Sequence, residues 1–402
     1  MVDRKGLCDG ETMSGIQLQT GDGAGTERRS GDASPGERLD AAPDDQVVAR
    51  LLDIAEKALK TRLDPQQDLL DVGLGVNRAL RIIREFWRAT GIELDVNIFY
   101  RCRNVAEIAD AIRTERAYSD EKRVLLREGD HERPLFCYAG GANCFLEMRE
   151  LISALPFNGA IHGLAVKAHP FQPHALPTVE SEVQDALCAI RRVQKRGPYR
   201  LMGYSFGGVI ALELARALEA EGEKIEFLAM LDSPLSDHCI STAQWLRLMA
   251  RVVCRQALAF LALRRRLDRY AVNGKPGCGA GYPKRKGHRL LLRFLSPEKA
   301  DYPLFNPQWV HGFPPAYTGM GEQIMRMKGL YQPRRYEGKT HFVTSSAGSP
   351  IDCPSRDVWA PHLANVEWIE TNGTHLSMLV GRNAKALAAT IGERLQNSSK
   401  SG

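Results

Sequence analysis

Apolar positions in the first third of the chain recur at helical spacing. In "DDQVVARLLDIAEKAL", Val47, Val48, Leu51, Leu52 and Ile54 share one broad face that Ala55, Ala58 and Leu59 close, which predicts an amphipathic helix. "NRALRIIREFWRATG" repeats the pattern and stops at Gly91, a usual helix end. "NVAEIADAIRTE" is a third, shorter helix. Residues 43–118 therefore read as a small all-α bundle, followed by the charged connector "TERAYSDEKR".

From Val124 the period changes. Short apolar runs ("RPLFCYAGG", "GAIHGLAV", "YRLMGY", "IEFLAMLDSP", "KTHFVTSSA", "VEWIETNG") alternate with amphipathic stretches such as "VQDALCAIRRVQ" and the closing "NAKALAATIGERLQ". Alternating strands and helices predict a mainly parallel sheet covered on both faces, over residues 124–397. Between about 236 and 335 the alternation gives way to a helical, then Gly/Pro/basic stretch, expected to be an insertion over the sheet's edge. Residues 1–36 are rich in Gly, Ser, Asp and Arg and are expected to be disordered.

Composition adjusts this picture only slightly. A chain of 402 residues has room for two or three domains. The net charge of +6 is mild and the charges are interspersed, which gives no reason to expect a nucleic-acid partner. Nine cysteines are scattered without a CxxC pair, which points to reduced thiols in the cytoplasm and no metal site. The N-terminus lacks the apolar core of a secretion signal, and Met13 is a second possible start. The most apolar stretch, "VVCRQALAFLALRRR", is interrupted by Arg255 and closed by three arginines, so no membrane insertion is expected.

The chemistry centres on "GYSFGG", which fits G-x-S-x-G at Gly203, Ser205 and Gly207. A strand precedes it and a helix follows, the context in which a strained turn presents a nucleophilic serine. The amide of Phe206 would then face a developing oxyanion. Serine needs a base at neutral pH, and His375 is the one histidine after the last predicted strand. The base needs an acid. Asp232 ends the strand "FLAMLDSP", while Asp352 and Asp357 follow the next strand. Spacing leaves the choice open, although an aspartate ending a buried apolar strand is costly without a partner. A second oxyanion donor is expected from "CYAGGANC", at Gly141 or Ala142.

With these blocks in order, residues 133–395 resemble the terminal thioesterase domains of nonribosomal peptide and polyketide synthases. The blocks are "PLFCYAGGA", "GPYRLMGYSFGGVIALELARALEAEG", "LDSP" and "GTHLSML". The resemblance implies an α/β-hydrolase fold with a lid at 236–335, and it implies Asp232 as the acid. The lid's basic piece, residues 275–289, matches nothing in the family and reads as a solvated loop, with contact to an acidic carrier or a phosphopantetheine phosphate as the alternative. Residues 43–114 resemble the acyl or peptidyl carrier domains that precede such thioesterases. Asp71, Gly73, the turn from Gly91 to Leu94 and "VAEIA" are in place, but Val76 stands where the phosphopantetheine-bearing serine belongs. No serine lies between Ser34 and Ser119, so no shift of register restores it. Together these features imply a serine-dependent thioesterase with no cofactor of its own, fed by a loaded carrier domain of a separate synthase. Acyl transfer or cyclisation by the same triad is the alternative, and a silent docking subunit is a third. The bundle would cover apolar thioesterase surface, dock a partner, or occupy the entrance and regulate it.

Overall fold

A computed structural model describes residues 44–117, 121–167, 177–236, 313–346 and 355–400, with isolated positions between 239 and 254. The expected disordered segment 1–36, Met13, Asp352, the basic piece 275–289 and most of the lid lie outside the described residues.

The bundle contains α1 (Asp44–Leu59), α2 (Val76–Thr90), α3 (Ile98–Arg101) and α4 (Val105–Arg113). Helix α2 buries Ala79, Leu80, Ile82, Ile83 and Phe86, the stripe its period predicted. It ends where Gly91 turns left-handed at φ 73° and donates its N–H to the Trp87 carbonyl, the usual glycine stop. Asn104 caps α4 by accepting from the Glu107 amide. The four-residue α3 was not legible from periodicity, being barely one turn long.

The remainder forms one seven-stranded sheet, ordered β1-β3-β2-β4-β5-β6-β7. The strands are β1 (Arg123–Arg127), β2 (Asp130–Tyr138), β3 (Gly159–Leu164), β4 (Tyr199–Tyr204), β5 (Ile225–Leu231), β6 (Tyr336–Ser345) and β7 (Leu363–Thr371). All neighbours are parallel except β1, which pairs antiparallel with β3 at the edge. Edge strand β1 escaped the sequence reading because only Val124 of "RVLLR" is fully buried.

Central strands β3 and β4 are buried at every position, as expected of parallel strands covered on both faces. Side chains of β2, β4 and β5 divide by parity between two cores. Phe136, Tyr138, Leu201, Leu228 and Met230 face α6 (Val179–Arg191) and α7 (Phe206–Ala220). Leu135, Cys137, Met202, Phe227 and Ala229 face α5 (Arg149–Ala154) and the C-terminal helix Gly381–Lys400. Of the expected lid, the described part includes the helix α8 (Pro315–Leu330). After it come α9 (Ser355–Trp359) and the C-terminal helix, α10.

A third apolar cluster joins the bundle to this domain. Leu70, Phe86, Val96, Ile98 and Phe99 share it with Cys144 and Leu146, just beyond β2. The bundle therefore covers apolar surface of the α/β domain, at the loop that follows the second strand. Among the described residues, no helix is long and apolar enough to cross a membrane.

Candidate active site

Strand β4 delivers Ser205 into a turn with φ 54° and ψ −125°, a conformation that L-residues avoid. Its amide donates to the Leu231 carbonyl of β5, which anchors the turn to the sheet. The flanking glycines are required by contact. A Cβ on Gly203 would lie 2.2 Å from the Gly207 carbonyl oxygen, and one on Gly207 would lie 2.3 Å from that of Ala139. Any side chain at either position would force the turn open.

Three elements then converge. His375, in the loop between β7 and α10, places Nε2 3.1 Å from Ser205 Oγ. Its Nδ1 lies 2.9 Å from Asp232 Oδ2. An ionised carboxylate only accepts hydrogen bonds, so Nδ1 carries the proton and Nε2 is left to accept from the serine hydroxyl. Asp232 follows β5, is 1% exposed and has φ 45°. Its two oxygens accept from the Ser345 amide and hydroxyl at 3.3 and 3.0 Å. Asp357, the competing acid within the described residues, is exposed in α9.

Two residues absent from the sequence reading complete the surroundings. Tyr204 donates its phenol to the His375 carbonyl at 2.7 Å and stacks its ring on the imidazole. Burial pushes the phenol's pKa up, so it stays a donor. Glu147, in the 3-10 turn Phe145–Met148, accepts from the Gly140 amide at 2.5 Å. Burial raises its pKa to about 7, against the opposing pull of that hydrogen bond. Tyr204 occupies the free position of G-x-S-x-G and Glu147 lies outside every motif, so neither carried a signal of its own.

Phe206 opens α7, so its amide is one of the helix's N-terminal donors without an intrahelical acceptor. Gly141 and Ala142 are half-buried in the loop after β2. That loop is fixed on either side of them, because Asn143 donates its amide to the Gly140 carbonyl and Glu147 holds the Gly140 N–H. The Gly140 amide is thereby spent. Among the described residues, no group of three or more His, Cys, Asp or Glu gathers as metal ligands would.

Val76 begins α2 behind Gly75, with no side-chain cap, and packs partly buried against the bundle's core.

Residues 133–251 match the family model of the thioesterase domain, and residues 46–112 match that of the phosphopantetheine attachment site. A thioesterase-type domain thus follows a carrier-type domain. The chain is 31% identical over 204 residues to a probable non-canonical nonribosomal peptide synthetase of Salinispora arenicola, which covers 49% of this chain and 3% of that protein. It is 30% identical over 162 residues to malpinin synthetase of Mortierella alpina, covering 39% of this chain and 2% of the synthetase. The chain therefore spans only a few per cent of those relatives. A crystal structure of a holo four-domain nonribosomal peptide synthetase, bound to AMP and glycine, aligns over 91% of this chain and 27% of its own, with 19% identity and a TM-score of 0.47.

Proposed function

We propose that this chain is a serine-dependent thioesterase that releases an acyl or peptidyl group from the phosphopantetheine arm of a carrier. The observation that supports it is the hydrogen-bonded series Ser205–His375–Asp232 inside a strained strand-to-helix turn. Ser205 Oγ attacks the thioester carbonyl carbon while its proton passes to His375 Nε2. The tetrahedral oxyanion is held by the Phe206 amide and by one from Gly141 or Ala142. The C–S bond breaks, and the imidazolium returns its proton to the departing thiolate. Water then gives a proton to His375 and attacks the acyl carbon; the C–Oγ bond breaks, the imidazolium returns that proton to Ser205 Oγ, and the free acid leaves. Asp232 keeps the imidazole in the working tautomer and stabilises its charged form.

The acyl group comes from a carrier other than this bundle. Valine has no hydroxyl with which to form the phosphodiester, and Val76 is turned partly into the core. Scattered cysteines without a CxxC pair support a cytoplasmic setting.

Labelling with a fluorophosphonate tests the reading. One adduct is expected on Ser205, absent in Ser205→Ala, together with release of free acid from a short acyl thioester. A folded protein that neither labels nor hydrolyses would overturn it, and capture of the acyl group by an added amine or alcohol without acid release would make it a transferase. Phosphopantetheinyl transferase with coenzyme A is expected to add no mass to the bundle.

A further inference from the structure

We infer that Asn97 of the carrier-like bundle is a positioning residue for the oxyanion loop of the thioesterase domain, an inference that rests on the hydrolase reading above. Asn97 lies 46 residues before the loop in sequence and is 1% exposed. Its Nδ2 donates to the Asn143 carbonyl at 2.9 Å, and its Oδ1 accepts from the Phe145 amide at 2.9 Å. One side-chain amide thus bridges two backbone groups of residues 143–145, as a neighbouring strand would.

The clamp is itself braced. The Asn97 backbone amide donates to Asp95 Oδ1 at 2.7 Å, and Asp95 Oδ2 pairs with Lys167 at 2.8 Å. Tyr100, three residues on, donates its phenol to the Phe145 carbonyl at 3.1 Å. On the opposite side of the loop, Asn143 has a left-handed φ of 52°. Its side chain bridges both the amide and the carbonyl of Val166 at 2.9 and 2.8 Å. Asn143 is thus held in a conformation that L-residues seldom adopt, with β3's exit on one side and the bundle on the other.

Gly141 and Ala142 lie between Gly140, fixed by Glu147, and Asn143, fixed by Asn97. An oxyanion donor acts only when its amide is aimed beforehand at the charge that develops. Without Asn97, the buried Asn143 carbonyl and Phe145 amide lose their partners, and the loop must shift to satisfy them. The bundle would thus retain a catalytic purpose after losing its attachment serine: it holds the shape of the loop.

The test uses the full chain and a short acyl thioester of N-acetylcysteamine, which needs no carrier docking. Turnover is expressed per Ser205 titrated to completion with fluorophosphonate, which removes any effect of misfolded protein. Asn97→Ala is expected to lower kcat per titrated site about 10- to 100-fold, with KM within about twofold. Asn97→Asp keeps the acceptor for Phe145 but loses the donor to Asn143, and is expected to fall in between. It also serves if the alanine variant does not fold. Arg149→Ala removes a bundle contact to the Leu70 carbonyl that does not touch the loop, and is expected to keep the parent kcat. Parent-like kcat in the Asn97 variants would overturn the inference, and so would an equal loss in Arg149→Ala. A parent protein whose Ser205 does not label removes the hydrolase reading itself, which is a separate failure.

Discussion

Tyr204 and His375 meet twice: the phenol donates to the histidine's backbone carbonyl at 2.7 Å, and the rings stack with centroids 4.8 Å apart. Tyr204, directly before Ser205, therefore fixes the loop that carries His375. Tyr204→Phe keeps the stack and removes the hydrogen bond. It is expected to lower kcat about 3- to 10-fold, in line with roughly 1 kcal/mol for one such bond. Steady-state hydrolysis and the rate of fluorophosphonate labelling should fall together.

Asp232→Asn tests the proposed role of Asp232 as the acid without changing shape. The amide can no longer stabilise an imidazolium, and its NH₂ group can favour the wrong tautomer. A fall in kcat of about 10²- to 10⁴-fold is expected, by analogy with triads in which this change has been made. Circular dichroism should match the parent, because the asparagine oxygen can still accept from the Ser345 amide while its NH₂ group donates to the Ser345 hydroxyl, which accepts as well as donates.

Glu147 gives stability a pH dependence. Its pKa in the folded protein is about 7, raised by burial from an ordinary 4.5. Between these values the folded state holds a proton that the unfolded state has released, so this group makes stability fall as pH rises from about 4.5 to 7 and level off above. The residue as a whole is only half-buried, so solvent screens part of the cost, and about 1–3 kcal/mol is expected. Glu147→Gln should abolish this slope and be the more stable form above pH 7, provided it still accepts from Gly140. Urea denaturation across pH 4.5–8 measures the difference.

Removing residues 1–118 would uncover Cys144 and Leu146, which share one apolar cluster with the bundle. Aggregation or loss of soluble protein is expected on expression. A milder form of the same test is Phe86→Ala, which empties a fully buried site in α2 and should destabilise the bundle by about 3–5 kcal/mol. Because the cluster spans both domains, hydrogen exchange at residues 141–146 should rise in that variant. Unchanged exchange there would show that the loop holds without the bundle.

The pattern of the chain alone determined the helices α1, α2 and α4, the parallel strands β2 to β7, and the turn at Ser205. Each follows from local periodicity or from a motif whose spacing is itself the geometry. The absence of any serine between Ser34 and Ser119 was equally plain, since it is a statement about composition and no fold can supply a hydroxyl. Sequence spacing could not choose between Asp232 and its rivals; the family resemblance favoured Asp232, and the fold brings it within 2.9 Å of His375. That contact spans 143 residues and depends on parallel pairing of β5, β6 and β7. Edge strand β1 and one-turn α3 were too short or too exposed to leave a periodic signal. Tyr204, Glu147 and Asn97 are ordinary residues by type and position. Their importance comes from which backbone groups packing brings against them, and hydrogen-bond geometry between distant segments has no period along the chain.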